Sequence, residues 1–415
     1  MCGIIANIQH DQLIPQEQFQ QQLDSIRHRG PDDQGVWFSP NGHVGLGTRR
    51  LAIQDLSPAG HMPMGDPSGQ VWITYNGEIY NFQPLRADLT ERGYAFRSGS
   101  DTEVVLAAYL EWGTDCLDFL NGMYAFVIYD SRDIPQSPHL AGPGIFAARD
   151  RAGEKPFYYW PHADGIYCAS ELKSLIANPY FPRRLDTAAF NFYLAYGYFP
   201  CILCILDEVK KLPAAHALTY VFETKALKTW RYWQPPTNMP VETADPDTLV
   251  NELESLLEDS VRARLVADVP VGILLSGGLD SSLITAMAAR TSSTPVKTFT
   301  ISFPGHGHYD EGPFARQVAD YFATDHCELI AEPATIDLLP EMAHYFDEPL
   351  GDSSLIPTYL VSRLTREHVT VALGGDGGDE LFGGYRRYSN ALNKQRLLTR
   401  VPQPVRALTA RIASE

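Results

Sequence analysis

The second residue of this chain is a cysteine, and in that place a cysteine can do chemistry that an internal one cannot. Removal of Met1 would leave Cys2 with a free α-amino group beside its thiol. That amine, with an ordinary pKa of roughly 7.7–8.0, can serve as general base for the nucleophile next to it. A free thiol of pKa about 8.5 is only a few per cent thiolate at neutral pH, so a local base matters. Alone the position says little, because a small residue after an initiator methionine is common. A second signal is LLSGGLDSS (274–282), which follows the apolar run VGILL and opens a helical pattern. Its glycines let backbone N–H groups converge on an anion, and a helix N-terminus adds partial positive charge. The Walker A spacing GxxxxGK[ST] is absent. Cys201 and Cys204 form a CxxC, but no second cysteine or histidine pair stands at zinc spacing. Their setting, PCILCIL, reads as apolar, so both are expected to be buried packing residues.

Charge narrows the partners. Lys+Arg 33 against Asp+Glu 50 gives a net charge of -17. Such a field repels phosphate backbones and anionic lipid, which argues against nucleic acid and membrane surfaces. ATP remains compatible, because phosphate sites rely on local backbone donors and Mg²⁺. No apolar run approaches the roughly 18 residues of a membrane span, and the N-terminus lacks the basic start of a signal peptide. The six cysteines are scattered rather than arranged as a disulfide framework. A cytoplasmic setting is expected.

These residues need elements to hold them. A chain of 415 residues is too long for one ordinary core, so two domains are expected. In the first half, GIIANI, VGLGT, VWITYNG, AFVIYD, GIFAARD and KPFYYW are β-branched or aromatic runs bounded by turn residues. Helical spacing runs over 102–112 and 185–195, and IPQSPHLAGPG (134–144) reads as an exposed hairpin insertion. The Pro- and Asp-rich stretch 234–248 has no periodicity and is the predicted linker between domains 2–233 and 249–415. Beyond it, Leu249, Leu253, Leu256, Leu257 and Val261 trace an amphipathic helix. Strands at 271–275, 296–303 and 369–373 then alternate with helices at 281–290 and 314–322. That order predicts an α/β fold with a parallel sheet.

RHRGPDD (27–33), TRRLAIQDL (48–56), YNGEIYNF (75–82), GSDTE (99–103) and ARDRAGEKPFYY (148–159) each resemble a motif of class II, N-terminal-nucleophile glutamine amidotransferase domains. They occur in that family's order. The resemblance covers about residues 2–230 and implies an α-β-β-α sandwich. It casts Cys2 as nucleophile, Arg50 as the planar fork for the glutamine carboxylate, and Glu78 with Asp101 as partners of the ammonium. Asn76 and the Gly77 N–H would stabilise the tetrahedral oxyanion. The backbone of Leu51 to Gln54, Ile53 included, would line the glutamine as an edge strand, with His28, Arg29 and Asp32 as structural support. Taken singly, Asn76-Gly77 is also a hairpin turn signal, and Arg50 or Asp101 could be surface charges.

SGGLDSS in its strand–loop–helix context resembles the PP-loop of ATP pyrophosphatases, and LGGDGGDELFGGYRRY (373–388) resembles a second nucleotide region of the asparagine synthetases. A doubly wound parallel sheet is implied. Leu275, Ser276, Gly277, Gly278, Asp280, Ser281, Ile301, Gly374 and Gly375 match ATP-contacting positions. Asp280 and Asp379 would hold Mg²⁺ on the phosphates, with Asp376 and Glu380 in support. FDEPLGDSSLIPTY (346–359) resembles the acceptor stretch. Its Glu348 and Asp352 would bind the acceptor or metal, against the reading of a solvated acidic loop; Asp376, Glu380, Tyr385 and Arg386 of the second motif are the candidates for facing the intermediate.

The resemblance implies a glutamine-hydrolysing asparagine synthetase-type enzyme. Ammonia released at Cys2 would pass to an acyl-adenylate made from ATP and aspartate, giving asparagine, glutamate, AMP and pyrophosphate. The same chemistry on a sugar or peptide carboxylate stays open, as does a non-catalytic glutamine- or nucleotide-binding regulator. A homodimer is the assembly considered. The family draws a catalytic lysine from beyond the second nucleotide motif. Here Lys394 is the only lysine after that motif and Glu415 the last residue, so an incomplete synthetase half is expected.

Overall fold

The computed structural model of the chain describes residues 1–133, 137–237, 245–303, 310–330, 338–400 and 406. Positions 238–244 of the predicted linker and 134–136 of the predicted insertion lie outside the described residues. The chain divides into two compact units. The first comprises the described residues of 1–249, 266–270 and 334–359; the second comprises those of 250–265, 271–333 and 360–415.

In the first unit, period-two alternation within apolar strands decides the architecture. Ile4, Ala6 and Ile8 of the strand Gly3–Gln9 share a core with Ala125, Val127 and Tyr129 of the strand Gly122–Asp130. The alternate residues face outward. Ile5 packs with Phe19 and Leu23 of the helix Gln16–Asp24, and Leu172 and Leu175 of the helix Leu172–Ile176 join them. Phe126 and Ile128 pack with Leu85 and Leu89 of the helix Phe82–Glu91 and Val104 and Ala108 of the helix Asp101–Trp112. Both faces of both sheets are therefore covered, and the layers run α-β-β-α. Each sheet is antiparallel and six-stranded. The first has the order Lys210–Lys211, Tyr158–His162, Gly165–Ala169, Gly3–Gln9, Val44–Arg50, Asp33–Phe38. The second runs Leu227–Arg231, His216–Val221, Gly144–Arg149, Gly122–Asp130, Val71–Ile79, Met64–Gly65.

The second unit holds a parallel sheet of four strands ordered Asp325–Ile330, Lys297–Ser302, Val271–Leu274, Val371–Leu373. From Val271–Leu274 the chain winds outward in one direction, then crosses back to place Val371–Leu373 on the other side. A crevice outside the carboxyl ends of these two strands follows from that reversal, and open α/β sheets bind ligands there. The segments leaving those two ends are the residues after Leu274 and after Leu373, which carry the two glycine-rich motifs.

Three expectations need correction. The strand Val44–Arg50 ends at Arg50, and 51–54 is irregular rather than an edge strand. The Leu51 N–H donates to the Cys2 thiol sulfur (3.4 Å) and the Ala52 N–H to Asp32 Oδ2 (2.9 Å), so these donors go to side chains instead of a neighbouring strand. Cys201 is exposed while Cys204 is buried, because only the latter turns into the core beneath the helix Leu172–Ile176. The insertion over 134–144 is not wholly exposed, since Leu140 is buried.

Candidate active site

Cys2 stands one residue before the strand Gly3–Gln9 and is buried, with its sulfur against the Leu51 backbone. Arg29 Nε donates to the Cys2 carbonyl at 2.8 Å, anchoring the backbone that carries the thiol. The strand Val71–Ile79 delivers Asn76, Gly77 and Glu78 in register with Ala125, Tyr124 and Met123. Asn76 is 1% exposed, and its Nδ2 is buried with no hydrogen-bond partner among the described residues. An amide donor left open in a core costs free energy, so its natural explanation is a ligand acceptor. Gly77 is demanded by packing: a Cβ there would lie 2.5 Å from the Met123 carbonyl oxygen and 2.8 Å from Tyr124 Cα. Gln54 Nε2 donates to Glu78 Oε1 (3.3 Å), tying the 51–54 segment to this strand.

Arg50 is buried, and its Nη2 donates to the carbonyls of Gln54 (2.9 Å) and Asp55 (2.7 Å), so its guanidinium is fixed by the loop it begins. The Ile53 carbonyl accepts from the Asp268 N–H at 3.0 Å. Asp101 opens the helix Asp101–Trp112 and accepts from Tyr75 Oη (2.7 Å) and the Ile79 N–H (2.9 Å). Burial raises its carboxyl above the usual range against those hydrogen bonds. Asp32 and Arg29 thus act on backbone, one holding Ala52 and the other Cys2.

Two groups here were not singled out from sequence. Lys155 is buried, its Nζ lies 3.1 Å from Met1 Sδ, and burial pulls its ammonium below the ordinary value. Glu171 receives His28 Nε2 (3.0 Å), Arg29 Nη1 (2.7 Å) and the Lys173 ammonium. Burial would raise its carboxyl, but the His28 hydrogen bond and the Arg29 and Lys173 charges hold it down at about 2. A folded pKa below the unfolded one stabilises at higher pH; the gain is complete above about pH 5 and lost as pH falls toward 2, an effect on the order of 3 kcal/mol. Denaturant unfolding at pH 5 and pH 3 checks this. The stability gap between the wild type and Glu171→Gln is expected to shrink on acidification.

In the second unit a cavity of about 710 Å³ sits at the crevice described above. Leu275, Ser276, Gly278, Asp280, Ser281, Ile301, Gly374, Gly375, Asp376 and Asp379 all line it, with Glu311 and Gly384. Gly278 caps the helix Leu279–Thr291. Ser281 Oγ accepts from the Ser276 N–H (3.2 Å) and meets Ser276 Oγ (2.9 Å), closing the loop on itself. Gly277 adopts φ 77, and a Cβ there would lie 2.6 Å from the Ala315 nitrogen, so glycine alone suits the turn. Gly375 and Gly378 let the second motif lie on the first, since Cβ atoms there would meet the Ser281 nitrogen at 2.8 Å and the Asp280 carboxylate at 2.5 Å. Asp280 and Asp379 thereby line one cavity, together with Asp376 and Glu311. Among the described residues no group of three or more His, Cys, Asp or Glu side chains could hold a metal. A pair still suits a Mg²⁺ that keeps waters and takes phosphate oxygens.

The remaining predicted residues go elsewhere. Glu348 packs in the first unit, accepting from the Ile205 N–H (2.8 Å) and pairing with the Lys211 ammonium. Asp352 accepts from the Ser354 N–H and hydroxyl, both at 2.8 Å. Glu380 accepts from Tyr385 Oη (2.7 Å) on the surface, and neither it, Tyr385 nor Arg386 lines the nucleotide cavity.

Fold and site together define a glutamine amidotransferase of the N-terminal-nucleophile class joined to an ATP-using synthetase unit. Residues 1–233 match the glutamine amidotransferase domain family and residues 252–415 the asparagine synthase family. A Methanocaldococcus jannaschii protein named "Putative asparagine synthetase (glutamine-hydrolyzing) 2" is 36% identical over 432 residues, covering 99% of this chain and 81% of that protein. Asparagine synthetase (glutamine-hydrolyzing) 1 of Bacillus subtilis is 34% identical across 100% of this chain and 63% of its own length. A protein of Gibberella zeae named Amidase chry2 is 30% identical over 93% of this chain and 59% of its own. The chain belongs to the glutamine-hydrolysing asparagine synthetase family. No helix among the described residues is long and apolar enough to cross a membrane.

Proposed function

We propose that Cys2, freed of Met1, attacks the amide carbon of glutamine and forms a glutamyl thioester that water hydrolyses to glutamate. The observation that carries this reading is the buried Asn76 Nδ2, without a hydrogen-bond partner among the described residues, on a strand tied to the loop that holds the Cys2 sulfur. A fixed donor of that kind, with the Gly77 N–H, meets the negative charge that develops on the amide oxygen. Arg50 takes the α-carboxylate, and the Glu78 and Asp101 carboxylates take the ammonium.

At the second cavity the turn over 276–281 and the N-terminus of the helix Leu279–Thr291 hold ATP phosphates. Asp280 and Asp379 would hold Mg²⁺, which when bound offsets phosphate charge. A carboxylate acceptor, for which we propose aspartate, is adenylated with release of pyrophosphate, and ammonia displaces AMP to give the amide. Keeping the adenylate away from water protects it.

The test is intact mass for loss of Met1, followed by glutamine hydrolysis and pyrophosphate release with a panel of amino-acid, sugar-acid and peptide carboxylates. Aspartate as the only substrate that stimulates pyrophosphate release supports the reading; stimulation by another carboxylate alone reassigns the acceptor. Asn76→Ala is expected to lower kcat for glutamine hydrolysis about 10²-fold with KM changed little, because the lost hydrogen bond acts only in the transition state. Steady-state kinetics of the purified variant checks it.

A further inference from the structure

Arg50 does not hold its own position. Its Nη2 rests on two consecutive carbonyls, those of Gln54 and Asp55, so the guanidinium is placed only as well as that short stretch of backbone is placed. The stretch is irregular and turns at Asp55, which adopts φ 55, a left-handed conformation that non-glycine residues keep only when held. The Asp55 carboxylate is committed to Ser57 and the Gly99 N–H. What grips the backbone is Asp268. Its Oδ2 accepts from the Asp55 N–H at 2.7 Å, and its own N–H donates to the Ile53 carbonyl at 3.0 Å. These bonds bracket Gln54 from both sides.

We propose that Asp268 is a positioning residue for glutamine: by clasping 53–55 it sets the guanidinium of Arg50 at the height where the substrate carboxylate docks. The proposal rests on the reading of Arg50 as the carboxylate fork. A cavity of about 370 Å³, lined by Gln54, Arg86 and Asp268 among others, borders the clasp and gives the loop room to relax once it is cut. The clasp grips 53–55, past the Leu51 N–H that meets the thiol, and the Asn76 amide and Gly77 N–H stand on a strand of their own, so relaxation there falls first on Arg50 and on substrate affinity. The expected signature is therefore in KM rather than kcat.

The experiment is glutamine hydrolysis by full-length wild type, Asp268→Ala and Asp268→Asn, with ATP binding by calorimetry on each. Asp268→Ala is expected to raise KM for glutamine roughly three- to tenfold at nearly constant kcat, in keeping with the net contribution of one intramolecular hydrogen bond. Asp268→Asn keeps an acceptor in the same place and is expected to restore KM to within about twofold. Asp268→Ser, too short to reach Asp55, replaces the alanine variant if that one does not fold. An unchanged KM in Asp268→Ala or Asp268→Ser overturns the proposal, as does a fall in kcat alone, a matching loss of ATP binding, or failure of Asp268→Asn to restore KM. A wild type that hydrolyses no glutamine overturns the glutaminase reading and this proposal with it, whereas hydrolysis with an indifferent KM overturns the proposal only.

Discussion

Replacing Cys2 with alanine is expected to lower glutamine hydrolysis by roughly 10⁴-fold or more while leaving ATP binding unchanged, since removing a nucleophile takes away the covalent route altogether. The size follows from what stays behind. Asn76, Gly77 and Arg50 would still bind and polarise glutamine, but no group would be left to form the thioester. Cys2→Ala removes one sulfur from a small buried site, so the strand Gly3–Gln9 and its pairing with Val44–Arg50 should hold. Far-ultraviolet circular dichroism and calorimetric ATP titration separate loss of chemistry from loss of fold. A variant that still releases ammonia at a substantial fraction of the wild-type rate would remove Cys2 from the mechanism.

The second large effect is expected at Asp280. Asp280→Asn should reduce ATP-dependent pyrophosphate release roughly 10³-fold, about 4 kcal/mol of transition-state stabilisation, by removing one of the two carboxylates proposed to hold Mg²⁺ on the phosphates. Asparagine is chosen because it keeps the shape of a side chain packed so close that a Cβ at Gly378 would lie 2.5 Å from it, where a change of volume would shift the second glycine motif. Glutamine hydrolysis by this variant should stay within about twofold of wild type, because its residues belong to the other unit. Together the two variants form a double dissociation. Loss of both activities in either variant would instead mean that the two reactions share one obligatory state.

Much of this arrangement was legible in the sequence, for identifiable reasons. The strands flanking the inter-sheet core are buried on both faces, so they read as apolar runs, and GIIANI and AFVIYD stood out without periodicity. The nucleotide loop was legible because its geometry depends on glycines at fixed spacing: Gly277 with its left-handed backbone, Gly375 and Gly378 under Asp280. The strand Asp325–Ile330 was not picked out. It is the outermost strand of its sheet, so DHCELI is half exposed and mixes charge with apolar residues. Glu171 and Asp268 were silent for another reason. Glu171 meets Arg29 142 positions away and Asp268 meets Asp55 213 positions away, and neither spacing nor composition marks such pairings. Glu348 was legible only as part of an acidic motif; its ion pair with Lys211 exists because residues after 338 pack beside the strands of the first unit.

That interleaving of the chain has a practical reach. The first unit draws on 266–270 and on the described residues of 334–359 as well as on everything before 249. No single peptide bond therefore separates the two halves as complete objects. A glutaminase excised at residue 233 would leave behind Asp268, Asp347 and Glu348, and with them the grip on the 53–55 loop and the partners of Lys173 and Lys211. Whoever grafts a new synthetase onto this ammonia source would do better to treat the molecule as woven cloth than as beads on a string, and carry those short threads across with it.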